Sequence, residues 1–169
     1  MTNKLDDVFV HPGHLIRRAH QIHMSLFEDE FAVYDISPVQ YVILRTVEAL
    51  DEVDLSTAAG IAAVDKPSCT RFVSRLVERG LVSMSSDKAD QRRKLLRLTS
   101  KGRNLLPALN ACSDNLEERM MERLSPDRRR RLIDLLVEFA SLNNDLSRAP
   151  HKTPPAVRQN THALDDVQG

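Results

Sequence analysis

The stretch KPSCTRFVSRLVERGLVSMSSDKADQRRKLLRLTSKG, Lys66–Gly102, decides the fold of this chain. Its first part carries apolar residues at helical spacing, and Gly80 then stands where a left-handed residue ends a helix. Two short apolar runs follow, Leu81–Met84 and Lys94–Leu98, separated by the polar segment Ser85–Arg93. This order predicts a helix followed by a β-hairpin with a long charged tip.

A second helix is predicted directly before this one. The short Ala-rich run Ser56–Ala63 forms it, and Val64-Asp65 interrupts the chain before the helix that begins near Lys66. Two helices joined by a short turn form a helix-turn-helix. A helix-turn-helix followed at once by a hairpin is the winged-helix arrangement. Its second helix can enter the major groove of DNA, and its hairpin, the wing, can reach a flanking minor groove.

The segments on both sides of this unit are predicted to be helical. Ser37-Pro38 and Ser125-Pro126 each combine an N-cap residue with proline at the first helical position. We expect an acidic turn at Asp51–Asp54, a disordered tail over residues 147–169, and a mainly α fold with a small β-hairpin. On the first helix, the expected buried centre is Leu15, Ala19, Ile22 and Leu26. The flanking helices are His14–Phe31, Ser37–Leu50, Thr99–Leu124 and Ser125–Leu146.

The charge of the chain is unevenly distributed. Its 24 Lys/Arg balance 24 Asp/Glu. Residues 66–103 nevertheless hold 11 Lys/Arg against 3 Asp/Glu, whereas residues 1–65 hold 4 against 11. A local basic stripe is what contact with a polyanion requires, although a merely solvated helix surface is the alternative interpretation.

Hydroxyl and guanidinium groups occupy the helix face opposite the apolar one. Such groups are suited to phosphates and to guanine edges. The apolar face is formed by Phe72, Val73, Leu76 and Val77. The residues predicted to contact DNA are Lys66, Pro67, Ser68, Thr70, Arg71, Ser74 and Arg75 on the helix, and Lys88, Arg92 and Arg93 on the wing tip.

Several motifs resemble those of the multiple-antibiotic-resistance regulator (MarR) family. DQRRKLLRLT, Asp90–Thr99, is similar to the wing signature D-x-R-x-x-x-L-x-L-T, and Gly102 extends it as T-x-x-G. SCTRFVSRL at Ser68–Leu76 and ERGLV at Glu78–Val82 look like the recognition helix and its exit. SPVQY, Ser37–Tyr41, matches an earlier helix start. The resemblance covers about residues 10–146.

The resemblance implies a homodimeric winged-helix transcription factor, most commonly a repressor, that binds a pseudo-palindromic operator. Residues 37–99 would be the DNA-binding domain, and residues 1–36 and 100–146 the helical dimerisation region. Asp90 would orient Arg92 through an ion pair, and Arg92 would enter the minor groove. A simple turn residue is the alternative role for Asp90. The run Arg128–Arg131 covers all sides of a helix, which favours ion pairs across the dimer with Glu117, Glu118 or Glu122.

The segment HPGHLIRRAHQIH, His11–His23, is similar to the first helix of the branch of this family that governs catabolism of aromatic acids, such as hydroxybenzoates and hydroxylated nicotinate. A polar stripe borders the apolar face of this helix. A guanidinium beside an apolar surface is what a small aromatic carboxylate requires, although a solvated edge or salt bridges across the dimer are alternatives. The expected effector-binding residues are His14, Arg17, Arg18, Gln21, Ser25 and Tyr41.

Other signals are possible within the same family. Oxidation of Cys69, which we place on the DNA-facing side, or of Cys112 is one alternative. Metal sensing is another, because several histidines stand at spacings that permit paired ligands. These histidines are His11, His14, His20 and His23.

Enzyme classes lack support in the sequence. Only 5 Gly are present, without a G-x-G-x-x-G motif or a phosphate loop, and we expect no enzyme activity, cofactor or resident metal. A helical dimer without DNA binding is the competing class, although it gives no reason for a basic wing. No apolar run approaches the ~20 residues of a membrane span. The N-terminus lacks the pattern of a signal peptide, and we expect a cytoplasmic protein.

Overall fold

The computed structural model of the chain describes residues 6–152. Within this range the chain is mainly helical with one small sheet, which confirms the predicted fold class. In chain order the elements are α1 Asp6–Val10, α2 Pro12–Phe31, α3 Pro38–Leu50, β1 Val53–Asp54, α4 Leu55–Ile61, α5 Lys66–Glu78, β2 Val82–Ser86, β3 Lys94–Leu98, α6 Ser100–Met121 and α7 Pro126–Leu142, followed by a 3-10 turn at Asn144–Leu146.

The chain divides into two compact units. One contains residues up to Ile36 together with Ala108–Leu132, and the other contains Ser37–Pro107 together with the residues from Ile133 onward. The second unit holds the helix-turn-helix, α4 and α5, and the hairpin of β2 and β3.

Local capping explains where the helices of the second unit begin. Ser37 Oγ accepts the amide of Gln40 at 3.3 Å, and Gln40 Oε1 accepts the amide of Ser37 at 3.0 Å, which is a capping box. Asp65 Oδ1 accepts the amide of Ser68 at 2.8 Å at the start of α5. Proline follows both caps, at a position where the helix needs no amide donor. The start of α3 was predicted from the cap Ser37 and the proline after it, whereas the start of α5 was predicted from the interruption at Val64-Asp65 and not from its cap.

The core of this unit lies between α3, α5 and the sheet. Its largest fully buried side chains include Ile43, Leu44, Leu76, Leu81 and Leu96. Burying an aliphatic side chain of this size stabilises the fold by about 1.5–3 kcal/mol relative to leaving it exposed. The core therefore joins α5 rigidly to the strands that carry the wing.

The sheet has three antiparallel strands in the order β1-β3-β2. Val82 pairs with Leu98 in the hairpin, and Val53 of β1 pairs with Leu96 on the other edge of β3. We predicted a turn at Asp51–Asp54, and this prediction missed β1, because a strand of two residues has no periodicity. The position of β3 is thus set by strands on both sides.

In the other unit, burial on α2 is confined to its C-terminal part. Phe27 and Phe31 are buried and stack with ring centroids 4.0 Å apart. Leu15 and Ile22, in contrast, are 50% and 49% exposed, and Ala19 is exposed. The prediction that these residues form a buried centre of α2 is therefore wrong for a single chain.

Helix α7 contains no buried residue. Its apolar side chains Leu135, Leu136 and Phe139 are each more than half exposed, and Leu142 is 73% exposed. An apolar stripe of this length facing solvent marks a surface that another molecule covers.

The segment after α7 returns to α4. Asn144 Oδ1 accepts the amide of His151 at 2.8 Å, and the amide of Lys152 donates to Gly60 O at 2.9 Å. The tail predicted for residues 147–169 begins in this segment, and its part from residue 153 lies outside the described residues. Among the described helices, none has the length and apolar composition needed to cross a membrane.

Candidate nucleic-acid interface

Helix α5 buries one side and exposes the other. Val73 and Leu76 are buried, together with Cys69. The residues predicted to contact DNA lie outside this buried side, with Ser68 and Ser74 partly buried. The exposed ones are Lys66, Pro67, Thr70, Arg71 and Arg75.

Hydrogen bonds organise the first turn of the exposed side. Asp65 accepts both the amide and the hydroxyl of Ser68 at 2.8 Å. Ser68 Oγ in turn accepts a bond from Arg71 Nη2 at 3.1 Å. The bonds from Ser68, led by its amide, hold the pKa of Asp65 below its ordinary value. Ser68 thereby connects the helix cap to the guanidinium of Arg71.

Cys69 does not belong to the DNA-facing side, and our prediction that it does is wrong. It has no exposed surface, and its thiol lies 3.8 Å from the carbonyl oxygen of Leu55. Burial raises the pKa of Cys69 to about 11 and also raises the pKa of Cys112. Both residues are therefore protonated thiols at neutral pH, which is the less reactive form of cysteine.

The histidines of α2 and its N-cap do not assemble a metal site in the described part of the chain. Over residues 6–152, no three His, Cys, Asp or Glu side chains are grouped so as to hold a metal ion. Burial, with a smaller contribution from the nearby His20, lowers the pKa of His23. His23 therefore favours the neutral form more than a free histidine does.

The wing tip, Asp87–Arg93, is a turn stabilised by aspartates. The amide of Asp87 donates to Arg93 O at 3.0 Å, and the amide of Arg93 donates to Asp90 O at 2.9 Å. Asp87 Oδ1 accepts the amide of Ala89 at 2.8 Å, and Asp90 Oδ1 accepts the amide of Arg92 at 3.0 Å. Aspartates that bind amides two residues onward are typical of such turns.

The ion pair implied between Asp90 and Arg92 is not found among the described residues. The carboxylate of Asp90 binds the backbone of Arg92 rather than its guanidinium. Asp90 is thus a turn residue, which was the alternative interpretation. The Arg92 side chain is left exposed at the wing tip.

Arg93 carries the ion pairs instead. Its Nη2 lies 3.3 Å from Asp54 Oδ2, and its Nη1 lies 3.5 Å from Asp87 Oδ2. On β3, which begins directly after Arg93, Arg97 Nε lies 2.6 Å from Glu52 Oε2. The acidic segment between α3 and α4 is therefore bound to the basic strand β3. These pairs could not be predicted from the sequence, because Asp54 and Arg93 are 39 positions apart.

A positive cleft lies between the start of α5 and the wing. Lys66, Arg92, Arg93 and Lys94 line it, with Asp54 as the acidic residue. Since Asp54 is already paired with Arg93, the cleft keeps an excess of positive charge that suits a phosphate. Lys94 was not among the predicted contacts, because sequence analysis assigned it only to the return strand.

The predicted effector residues lie on two elements. On α2, Arg18 Nη1 donates to Gln21 Oε1 at 3.2 Å, and the structure thus brings these two side chains together. His14 is partly buried and packs edge-on against Phe9, with ring centroids 6.1 Å apart. Arg17 and Ser25 are exposed on the same helix, and Tyr41 is partly buried on α3, in the other unit.

The arginine run of α7 forms ion pairs within its own chain. Arg129 binds both carboxylate oxygens of Glu118, at 3.0 and 3.2 Å. This bond and the charge of Arg129 lower the pKa of Glu118. The prediction of Glu118 as an ion-pair partner is confirmed, but the pair lies within one chain and not across a dimer. Arg130 pairs with Asp127 at 3.0 Å.

Comparison with known proteins agrees with this geometry. The MarR family model matches residues 36–94. The HTH-type transcriptional repressor NicR of Pseudomonas putida is 30% identical over 130 residues, which cover 77% of this chain and 82% of NicR. The structure of Bordetella bronchiseptica BpsR, described with regulation of its DNA binding by 6-hydroxynicotinic acid, has a TM-score of 0.74 and 27% identity, covering 78% of this chain and 94% of that one. The repressor CouR, solved with a 23-mer DNA duplex, has a TM-score of 0.76 and 25% identity, covering 83% and 99%.

The helix-turn-helix, the basic wing and these relatives define a transcriptional regulator of the winged helix-turn-helix class. Within that class, the chain belongs to the MarR family. The resemblance drawn from the wing signature is confirmed.

Proposed function

We propose that this protein is a homodimeric transcriptional repressor that leaves its operator when it binds a small aromatic carboxylic acid. The observation that carries the proposal is the cationic surface formed by the exposed side of α5 and the wing. NicR is a repressor, and CouR was solved with duplex DNA, which supports the same activity here. A repressor of this kind would act in the cytoplasm, where its operator DNA lies.

Residues 37–99 are proposed to be the DNA-binding domain. Helix α5 would enter the major groove, where Arg71 and Arg75 can reach guanine edges or phosphates. Arg92, whose backbone alone is held by Asp90, would enter the minor groove from the wing tip. Among the remaining predicted contacts, the polar side chains of Lys66, Ser68, Thr70, Ser74 and Lys88 would bind phosphates.

The exposed apolar surfaces support a homodimer. Phe9 of α1 is 63% exposed, and Phe139 of α7 is 54% exposed. Residues 1–36 and 100–146 are therefore proposed as the dimerisation region. A twofold axis would present two copies of α5 and the wing to two operator half-sites.

The effector is proposed to bind α2. Arg18, held by Gln21, would pair with the carboxylate, and the half-exposed Leu15 and Ile22 would contact the ring. That 6-hydroxynicotinic acid regulates DNA binding by BpsR supports this class of ligand. Burial raises the pKa values of both cysteines and so disfavours their reactive thiolate form, which favours an aromatic-acid effector over a redox signal. The contribution of Tyr41 stays a prediction.

Substitution of Arg92 tests the DNA-binding assignment. Fluorescence anisotropy would follow binding to a labelled fragment from the region upstream of the gene at several salt concentrations. Arg92→Ala should weaken binding and reduce the salt slope by roughly 1, as expected for one lost phosphate-region contact. Arg130→Ala, which removes an exposed arginine of α7, is the matched control and should bind as the wild type does. Equal affinity for Arg92→Ala and Arg130→Ala at all salt concentrations would contradict the proposal.

A further inference from the structure

Two neighbouring arginines of the wing have different surroundings. The guanidinium of Arg92 is exposed, and its residue is fixed through the backbone amide. The guanidinium of Arg93 instead lies between two carboxylates, Asp54 and Asp87, that belong to different parts of the fold. The charge of the two side chains is the same, and the structure gives them different partners.

Each of the two carboxylates also holds its own element. Asp54 Oδ1 caps α4 by accepting the amides of Ser56 and Thr57 at 2.9 and 3.0 Å. Its Oδ2 accepts Thr57 Oγ1 at 2.7 Å and Arg93 Nη2 at 3.3 Å. Asp87 binds the wing tip with Oδ1 and Arg93 with Oδ2. Arg93 is therefore the bridge between the start of the helix-turn-helix and the wing tip.

The hydrogen bonds to Asp54 lower the pKa of its carboxyl group. Its partial burial alone would raise the pKa, but hydrogen bonds from Thr57, Arg93 and Ser56 outweigh burial and lower the pKa of Asp54 below its ordinary value. Asp54 is also only 20% exposed and Asp87 19% exposed. Both carboxylates are thus partly shielded from solvent where they bind Arg93.

Arg93 also lines two clefts that differ in charge. On one side Glu52, Asp54 and Asp87 line an acidic cleft. On the other side Lys66, Arg92 and Lys94 line the positive cleft described above. A guanidinium that two carboxylates already hold is poorly placed to bind a phosphate, because it would have to exchange those bonds for the new one.

We propose that Arg93 is a positioning residue for DNA binding: its ion pairs with Asp54 and Asp87 hold the wing at the N-terminus of α4. These ion pairs thereby fix the place from which Arg92 and Lys94 approach DNA. This inference rests on the proposed DNA-binding function and divides the wing arginines into one that contacts DNA and one that holds the wing. A wing held in place before binding loses less conformational freedom when it meets the groove.

Asp54→Asn separates positioning from direct contact because the two roles predict opposite changes. Asparagine keeps the helix cap, since its side-chain oxygen can still accept the amides of Ser56 and Thr57. If Arg93 bound a phosphate, removal of a competing carboxylate would tighten DNA binding. If Arg93 is a positioning residue, Asp54→Asn should weaken DNA binding roughly two- to fivefold, as expected from the loss of such ion pairs.

Asp51→Asn is the control for charge. It removes one negative charge from the same loop, and asparagine tolerates the positive φ of 56° found at Asp51. Binding of the Asp54→Asn protein is therefore compared with that of Asp51→Asn on the same DNA fragment. Asp87→Asn can keep the bond to the amide of Ala89 but loses the ion pair with Arg93, and it should also weaken DNA binding.

For the Arg93→Ala variant, the salt dependence of DNA affinity distinguishes a positioning residue from one that contacts phosphate. A positioning residue should lower affinity with an unchanged salt slope, and the double variant Asp54→Asn/Arg93→Ala should bind no more weakly than Arg93→Ala alone. A slope reduced by roughly 1, or an affinity of Asp54→Asn equal to or above that of Asp51→Asn, overturns the inference. If the wild type itself fails to bind duplex DNA, the proposed function fails, and this outcome is distinct from the others.

Discussion

Gly102 stands where the structure tolerates no side chain, and its replacement by alanine gives a prediction that can be worked out from distances. A Cβ atom at this position would overlap the carbonyl oxygen of Leu81 and lie 3.2 Å from Leu98 Cδ2. Ordinary contact begins at 3.4 Å, and the nearest atom is backbone, which cannot rotate away. The first turn of α6 would have to move away from the strands.

That movement would disturb a junction of hydrogen bonds. The amide of Thr99 donates to Leu81 O at 3.1 Å, and Thr99 Oγ1 donates to Gly80 O at 2.6 Å. The amide of Gly102 donates to Thr99 Oγ1 at 3.0 Å. Overpacking of this kind costs about 1–3 kcal/mol, and each net hydrogen bond lost adds about 1 kcal/mol. The better helix propensity of alanine offsets up to about 1 kcal/mol, and with two of these bonds lost the net loss is about 2–4 kcal/mol.

Two other glycines provide internal controls. Gly80 has a φ of +68°, and a Cβ atom added there would meet no other atom within 4 Å, so Gly80→Ala should cost about 1–2 kcal/mol from backbone strain alone. Gly13, in the first turn of α2, meets its nearest neighbour at 3.5 Å, and Gly13→Ala should be neutral or stabilising by up to about 1 kcal/mol. Urea unfolding at one fixed protein concentration measures all three. The reasoning is refuted if Gly102→Ala loses no more stability than Gly80→Ala.

Three further predictions address the effector site, the ion pair between Arg93 and Asp54, and the dimer. Arg18→Ala should keep its affinity for DNA but require more aromatic acid for release than the wild type; full release at the wild-type concentration in an anisotropy titration would place the site elsewhere. The stability advantage of the wild type over Asp54→Asn should be present above the ordinary aspartate pKa of about 3.9 and disappear as pH falls through the depressed pKa of Asp54, because the carboxylate keeps its bonds only while ionised. Urea unfolding between about pH 5 and pH 3 checks this, and a difference that stays constant over that range argues against it. Leu136→Glu should produce monomers in sedimentation velocity, whereas Arg128→Glu should not; a dimeric Leu136→Glu protein would show that α7 lies outside the interface.

Local signals were sufficient to predict most of the helices. Ser37 and Asp65 bind amides three residues away, and Gly80 ends α5 with a positive φ. Each of these interactions lies within a few residues of chain, and the sequence therefore contains both partners side by side. The wing was predictable for a similar reason, since its two strands follow each other directly.

Long-range contacts were not predictable in the same way. Strand β1 exists because Val53 and Asp54 meet Leu96 and Leu95, far along the chain. The pairing of Arg93 with Asp54 depends on the same approach. Neither contact leaves a periodic pattern, and both appear only once the fold brings the segments together.

The burial predicted from helical spacing was correct for some helix faces and wrong for others. Cys69 shares a face with Val73 and Leu76, at i, i+4 and i+7, and this spacing could have placed it in the core. Leu15, Ala19 and Ile22 of α2 were assigned to the core by the same pattern but are exposed in the single chain, as is the apolar face of α7. Periodicity shows which side of a helix is apolar, and it does not show whether the same chain covers that side.

The central position of β3 has a consequence for how this molecule can diverge. Because strands on both sides fix β3, a residue inserted into or removed from the tip, Asp87–Arg93, need not shift the strand pairs Val82–Leu98 and Val53–Leu96. Tip length and tip sequence can therefore vary while the scaffold stays the same. Lineages could acquire new operator preferences by exchanging the residues between Asp87 and Arg93, and a protein engineer could graft foreign tips between these two residues, whose ion pair would be kept.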